Sequence, residues 1–179
     1  MRIVVSGTHA TGKSTLVADL AAALPGHTVL GDPWELVDEH LPPSSAESFV
    51  AQLHVAADRL LVLDPGERVV VERGPLDLLA YLEALRRLGR GGVDEASTGL
   101  RSLARRAHAH VDLLVVVPLA GAHGLHVPDE EDPELREAAD TALLDLLDDD
   151  ELLPASTTVL EVGGDPRRRL ADVLARLPH

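Results

Sequence analysis

The feature that most constrains this chain is a glycine-rich segment, Gly7 to Ser14, which matches the pattern G-x-x-x-x-G-K-S/T. It follows an apolar run at 2–6, which predicts a buried strand, and it precedes residues 13–24, where leucines four apart share one helical face. Its glycines permit close backbone approach, so that successive N–H groups can face one anion at the start of the helix. This context predicts a loop that cradles a polyphosphate.

The lysine content of the chain supports the same reading. Of 16 basic residues, 15 are arginine, and the one lysine, Lys13, stands where the pattern requires it. A compact ammonium there can bridge the β- and γ-phosphates, while the Ser14 hydroxyl can bind Mg²⁺. We therefore expect this loop to bind a nucleoside triphosphate, and His9 either touches the γ-phosphate or the acceptor or simply fills a variable position. The residues expected to contact the nucleotide are Gly7, Thr8, His9, Ala10, Thr11, Gly12, Lys13, Ser14 and Thr15.

An acid and an arginine follow another apolar run, at 68–72. Because ligands gather at the carboxyl edge of a parallel sheet, Glu72 and Arg73 are expected to lie beside the phosphate loop. Glu72 can hold Mg²⁺ or accept a proton from an attacking hydroxyl, and Arg73 can stabilise charge on a transferring phosphoryl group. The alternative is that the two form a structural pair at a strand end. Asp77, in the first turn of the next helix, either binds the acceptor or complements the helix dipole.

The remaining hydrophobic pattern indicates an α/β fold. Apolar runs at 2–6, 28–31, 68–72, 111–118 and 157–162 alternate with helical segments, one of which has Ser44 and Glu47 spaced as a capping box. Near-continuous apolar strands are typical of a parallel sheet that is covered on both faces, which predicts three layers. A length of 179 residues predicts one domain spanning 1–179.

Composition excludes or disfavours several classes. The chain has no cysteine, which excludes disulfides, thiolate metal sites and a cysteine nucleophile. Its net charge of −14 disfavours nucleic acid and anionic membranes as partners. No apolar run approaches the ~20 residues of a membrane span, and the opening lacks a signal-peptide layout, so we expect a cytoplasmic protein. The sequence leaves a homodimer open.

Three blocks together resemble the small P-loop kinases of the nucleoside and nucleotide kinase group, and the similar small bacterial proteins labelled AAA-family ATPases. The blocks are the phosphate loop, ERGPLDLLAY at 72–81 and GGDPRRRL at 163–170. The resemblance implies a P-loop NTPase fold with a five-stranded parallel sheet, and ATP and Mg²⁺ as cofactors. It also implies that Glu72 and Arg73 lie beside the transferred phosphate. The closing turn, with Gly164 and Pro166, would lie against adenine, or would serve only as a turn and helix cap.

The resemblance also suggests an acceptor site. Asp32, after the second strand, would approach the acceptor or join Ser14 and Glu72 around the metal. Gln52 and Arg59 have the spacing with which deoxynucleoside kinases read a base edge, a spacing that chance also supplies. Trp34, Phe49 and Tyr81 fall in the same region, where they stack on a planar substrate or pack in the core.

The resemblance implies a lid near 119–135, which in such kinases brings arginines to the phosphates. Residues 120–132 contain no arginine, so Arg136 is the nearest candidate. We expect an ATP- and Mg²⁺-dependent phosphotransferase with Lys13, Glu72 and Arg73 as catalytic residues, acting on a small acceptor such as a nucleoside or nucleotide. The alternative is a nucleotide-binding regulatory ATPase with slow hydrolysis and a protein partner, which an arginine-poor lid would suit. A GTPase is disfavoured, because its N-K-x-D segment needs a second lysine.

Overall fold

A computed structural model describes residues 1–91, 97–121 and 132–178, and five parallel strands form the sheet of this described part. The strands are β1 (Arg2–Ser6), β2 (Thr28–Leu30), β3 (Val69–Glu72), β4 (Leu113–Val116) and β5 (Thr158–Glu161). The helices are α1 (Lys13–Ala23), α2 (Ala46–Leu61), α3 (Pro75–Arg87), α4 (Ser97–His108), α5 (Pro133–Leu147) and α6 (Pro166–Arg176). Single 3₁₀ turns occupy Pro33–Leu36 and Leu119–Gly121.

The strand order is β2-β3-β1-β4-β5, so β1 lies at the centre, between β3 and β4. Val5 pairs with Glu72 on one side and with Val115 on the other. All strands are parallel, so their carboxyl ends meet at one edge. The loop after β1 and the acid–arginine pair at the end of β3 therefore lie side by side, as the sequence predicted.

Alternate residues of each central strand enter two separate cores. Ile3 and Val5 of β1 pack with residues of α1 and α6 on one face of the sheet. Val4 packs with residues of α2, α3, α4 and α5 on the other face. This arrangement confirms the three-layer α/β fold, and it explains the uninterrupted apolar runs of β1, β3 and β4, because both faces of these central strands are buried.

Proline begins several of the helices and fixes where they start. Asp132 and Asp165 each precede such a proline, and each carboxylate accepts the N–H of the third residue that follows. The predicted capping box at Ser44 is wrong by one residue: α2 is capped by Ser45, whose hydroxyl accepts the N–H of Ser48. The cap of α2 lies at Ser45 because this residue has the extended backbone that an N-cap requires.

Among the residues that the structure describes, no helix combines the length and apolarity that crossing a bilayer needs.

Candidate functional site

The loop between β1 and α1 takes the left-handed backbone that a nest of amides requires. Gly7, Ala10 and Gly12 have φ of 146°, 51° and 90°. A Cβ built on Gly7 would lie 2.5 Å from the carbonyl oxygen of Val117, a backbone atom that no rotamer change can move. Glycine at position 7 therefore lets the loop pass against the end of β4.

Lys13 is buried beneath this loop with 5% of its surface exposed, and its Nζ donates to the carbonyl oxygen of Thr8 at 2.7 Å. Burial, followed by the charge of Arg73, lowers the pKa of Lys13 to about 8. The side chain therefore keeps its proton at neutral pH, where an ammonium among loop amides suits a polyphosphate.

Ser14 lies against the carboxyl end of β3. Its hydroxyl donates to Glu72 Oε1 at 2.6 Å. Hydroxyl and carboxylate oxygens are the donors that Mg²⁺ prefers, and this ion is commonly held by one or two protein groups together with phosphate and water. In the ranges 1–91, 97–121 and 132–178, no group of three or more histidine and acidic side chains forms a metal cage of its own. The Ser14–Glu72 pair thus fits magnesium that arrives with a nucleotide.

Arg73 lies next to this pair in a left-handed conformation, with φ of 63°. Such a backbone costs a non-glycine residue roughly 1–3 kcal/mol and is concentrated at functional sites. The side chain is 2% exposed; its Nε lies 3.5 Å from Asp32 Oδ2, and its guanidinium carbon lies 5.6 Å from the centre of the Tyr81 ring. Burial opposes the charge, but nearby anions, Asp32 foremost, raise the pKa of Arg73.

His9 is held between Arg73 and Tyr81. Its backbone N–H donates to the Tyr81 hydroxyl at 3.1 Å, and its Nε2 lies 3.4 Å from Arg73 Nη2. Burial, then the charges of Arg73 and Lys13, lower the pKa of His9 to about 3, so the ring is neutral at physiological pH. Tyr81 also stacks on Phe49, with ring centres 4.7 Å apart, and both rings are buried. These two aromatic residues therefore support the loop from within the core.

Asp77 joins the loop to the Arg73 turn. Its Oδ2 accepts from the Ser6 hydroxyl at 2.6 Å and from the Gly74 N–H at 2.9 Å, and its Oδ1 accepts from the Gly7 N–H at 2.7 Å. The residue is 1% exposed. The structure therefore places this carboxylate between β1 and α3, as a brace for both loops.

Two arginines from the last two helices reach the outer side of the phosphate loop. Arg136 of α5 donates to the carbonyl oxygens of His9 at 2.8 Å and Ala10 at 3.2 Å. Arg169 of α6 donates to the Thr11 carbonyl oxygen at 2.6 Å. Arg136, the lid candidate from the sequence, thus contacts the backbone of the phosphate loop.

A cavity of about 290 Å³ opens beside the first turn of α1. One wall is formed by Gly12, Thr15 and Leu16, and the other by the turn that carries Gly164 and Pro166, together with Arg169. The volume lies near the lower end of the range for ligand pockets. The two sequence segments expected to contact a nucleotide thus meet around one cavity.

The remaining acceptor candidates lie around the end of β2. Asp32 caps the first 3₁₀ turn by accepting the Trp34 N–H at 2.9 Å, and Arg59 donates to the Gly31 carbonyl at 2.9 Å. Gln52 is buried, and its amide nitrogen donates to the Ser48 hydroxyl at 3.0 Å. Gln52 Oε1 is buried without a hydrogen-bond partner within the part of the chain that the structure describes. The Gln52 side chain therefore lies inside the core beneath the end of β2, with its amide held by α2.

The lid expected near 119–135 lies largely outside the described residues, which omit 122–131. Two residues that the sequence analysis did not single out contact the loop or its brace: Arg169 bonds to Thr11, and Ser6 bonds to Asp77. Arg169 could have been found by spacing, because it and Val173, four residues later, share the buried face of α6.

Comparison with known proteins gives a family match and several similar structures. The model of a family described as "AAA domain" matches residues 2–169. A search of the curated proteins found no match.

The solved structures show the same fold. Deoxyadenosine kinase from M. mycoides with bound dATP has a TM-score of 0.68 at 15% identity, and 98% of each chain is covered. The same enzyme with dCMP and a flexible dCDP has a TM-score of 0.69 at 14% identity, again over 98% of each chain. Thymidylate kinase from Candida albicans has a TM-score of 0.67 at 14% identity, over 97% of this chain and 89% of the kinase.

Proposed function

Since the chain belongs to the AAA domain family and has the P-loop fold of small nucleotide kinases, as the sequence resemblance implied, we propose that it is an ATP- and Mg²⁺-dependent phosphotransferase. The observation that carries this proposal is the 2.6 Å hydrogen bond from Ser14 to Glu72. It joins the phosphate loop to the acid at the end of the neighbouring strand, so one site has both a polyphosphate cradle and a group that can accept a proton.

The proposed acceptor is a nucleoside or nucleotide. Two observations support this choice: the named kinases of like fold act on such compounds, and Gln52 and Arg59 have the spacing that the resemblance associates with reading a base edge. We place the enzyme in the cytoplasm, and the net charge of −14 favours a small acceptor over nucleic acid.

In the proposed transfer, an acceptor oxygen bonds to the γ-phosphorus as the bond from that phosphorus to the β–γ bridging oxygen breaks, which releases ADP. Lys13 and the loop amides hold the phosphates in line, while Glu72 orients the acceptor hydroxyl and takes its proton. Arg73, fixed by Asp32, stabilises charge on the moving group. Bound magnesium, held by Ser14 and Glu72, would neutralise phosphate charge.

The test is a panel of nucleosides and nucleoside monophosphates incubated with ATP and Mg²⁺, with products identified by mass spectrometry. We expect phosphorylation of at least one acceptor. Glu72→Gln should bind ATP nearly as wild type but lower turnover by about 100-fold, the lower range for lost general-base catalysis. Glu151→Gln, an exposed change between α5 and β5, is the matched control.

Two results would contradict the proposal. Unchanged turnover in Glu72→Gln would remove this carboxylate from the chemistry. ATP hydrolysis without any phosphorylated acceptor, stimulated by a protein partner, would instead support the regulatory ATPase.

A further inference from the structure

Four consecutive carbonyl oxygens of the phosphate loop accept hydrogen bonds from cationic side chains. Those of Thr8, His9, Ala10 and Thr11 are bound by Lys13, by Arg136 twice and by Arg169. These cations come from α1, α5 and α6, three helices that are separate in sequence. The carbonyl side of the loop is therefore held by side chains of three helices.

Binding a carbonyl oxygen also fixes an amide. In a planar trans peptide, the C=O of one residue and the N–H of the next point in opposite directions. The contact from Arg169 to Thr11 O thus directs the Gly12 N–H to the opposite side of that peptide. Gly12 is also the N-cap of α1, and the N–H groups at this end have no partner within the helix.

The burial of Arg169 holds its side chain against the Thr11 carbonyl oxygen. It is 4% exposed, and it forms part of the wall of the 290 Å³ cavity together with Gly12 and Thr15. Burial lowers the pKa of Arg169, and Asp165 partly counteracts this effect. Placing a cation in such a site is costly unless it is well bonded, and its bond to Thr11 O, at 2.6 Å, is among the shortest in the site.

We propose that Arg169 is a positioning residue for polyphosphate binding, which holds the Thr11–Gly12 peptide so that the Gly12 amide faces the ligand. The proposal rests on the nucleotide binding proposed above. Arg169 touches the loop backbone and acts on the phosphates only through it. Removing the guanidinium should therefore weaken the binding even of a ligand that consists of phosphate alone.

The experiment measures dissociation constants for ATP and for inorganic tripolyphosphate, each with Mg²⁺, well below the unfolding temperature. The variants are Arg169→Met, Arg169→Lys and the control Arg176→Met, an exposed arginine of the same helix. We expect Arg169→Met to raise the dissociation constant of tripolyphosphate about tenfold and that of ATP at least as much. Arg169→Lys should recover part of this loss, because its ammonium can still reach Thr11 O, and Arg176→Met should behave as wild type.

The outcomes separate this inference from the proposed function. Wild-type protein that binds neither ligand would refute nucleotide binding, and the inference with it. Wild-type binding with tripolyphosphate affinity unchanged in Arg169→Met would overturn the inference alone, even if ATP affinity falls, since Arg169 would then only line the cavity. If Arg169→Met does not fold, Arg169→Gln decides by the same measurement, because its polar amide falls short of Thr11.

Discussion

Replacing Asp77 should destabilise the protein more than any surface change, because its carboxylate satisfies three donors at once. The Gly7 N–H, the Gly74 N–H and the Ser6 hydroxyl all donate to it within 2.9 Å, at 1% exposure. Asp77→Ala leaves two buried amides unsatisfied, at about 1–3 kcal/mol each, while the serine hydroxyl can turn elsewhere. The loss is partly offset because the variant no longer buries a charge, so we expect the free energy of unfolding to fall by about 3 kcal/mol. A typical domain has a free energy of unfolding of only about 5–15 kcal/mol.

Asp77→Asn refines the same prediction. An amide keeps the shape of the carboxylate and one acceptor oxygen, but its NH₂ faces one of the backbone N–H donors. We expect about half the loss of Asp77→Ala, with weaker ATP binding because Gly7 loses its anchor. The measurement is urea unfolding with both slope and midpoint fitted, and Asp58→Asn, an exposed position of α2, is the control.

A free energy of unfolding for Asp77→Ala within about 1 kcal/mol of wild type would refute the brace, since two unsatisfied buried amides cannot cost so little. Normal stability combined with a raised KM for the acceptor alone would instead indicate that Asp77 binds substrate, the other role that the sequence allowed.

Three further predictions concern the loop and a surface cluster. Gly7→Ala should destabilise the protein by about 2 kcal/mol or more and abolish ATP binding, because the added Cβ would lie 2.5 Å from Val117 O. Gly66→Ala is the control: its Cβ would have no atom within 4 Å, so it should cost only about 1 kcal/mol. Equal losses of stability in urea unfolding would contradict the clash at Gly7. ATP at 100 times its Kd should stabilise the wild-type protein by about 2.7 kcal/mol, which raises its melting temperature. Lys13→Ala should remove most of this rise, and an unchanged rise would exclude the phosphate cradle. Hydrogen bonds from Arg86, then Arg87, lower the pKa of Glu83 to about 2. The stability that the Glu83 carboxylate contributes is therefore present above pH 4.5 and is lost as the pH falls toward 2. Glu83→Gln should lower the free energy of unfolding by about 1 kcal/mol at pH 7 and by almost nothing at pH 2, and a difference that stays constant with pH would refute this.

Local rules account for much of this fold. The positions of strands and helices follow from apolar runs, from proline at helix starts and from glycine in the loop, all of which act over a few residues. The predicted strand ends were off by at most two residues, because hydrogen bonding to neighbouring strands, rather than apolarity, ends a strand. The Ser44 capping box failed because α2 begins at Ala46, so the residue that caps it is Ser45.

The sequence by itself determined that a lysine-bearing amide loop follows the first strand, because the pattern, the sole lysine and the strand–helix context all lie within some 20 residues. Only the tertiary structure decided which groups orient that loop. The bonds from Asp77, Arg136 and Arg169 to it join residues 70 to 158 positions apart. No short-range rule reports such contacts, because they depend on strand order and on which helix packs on which face of the sheet.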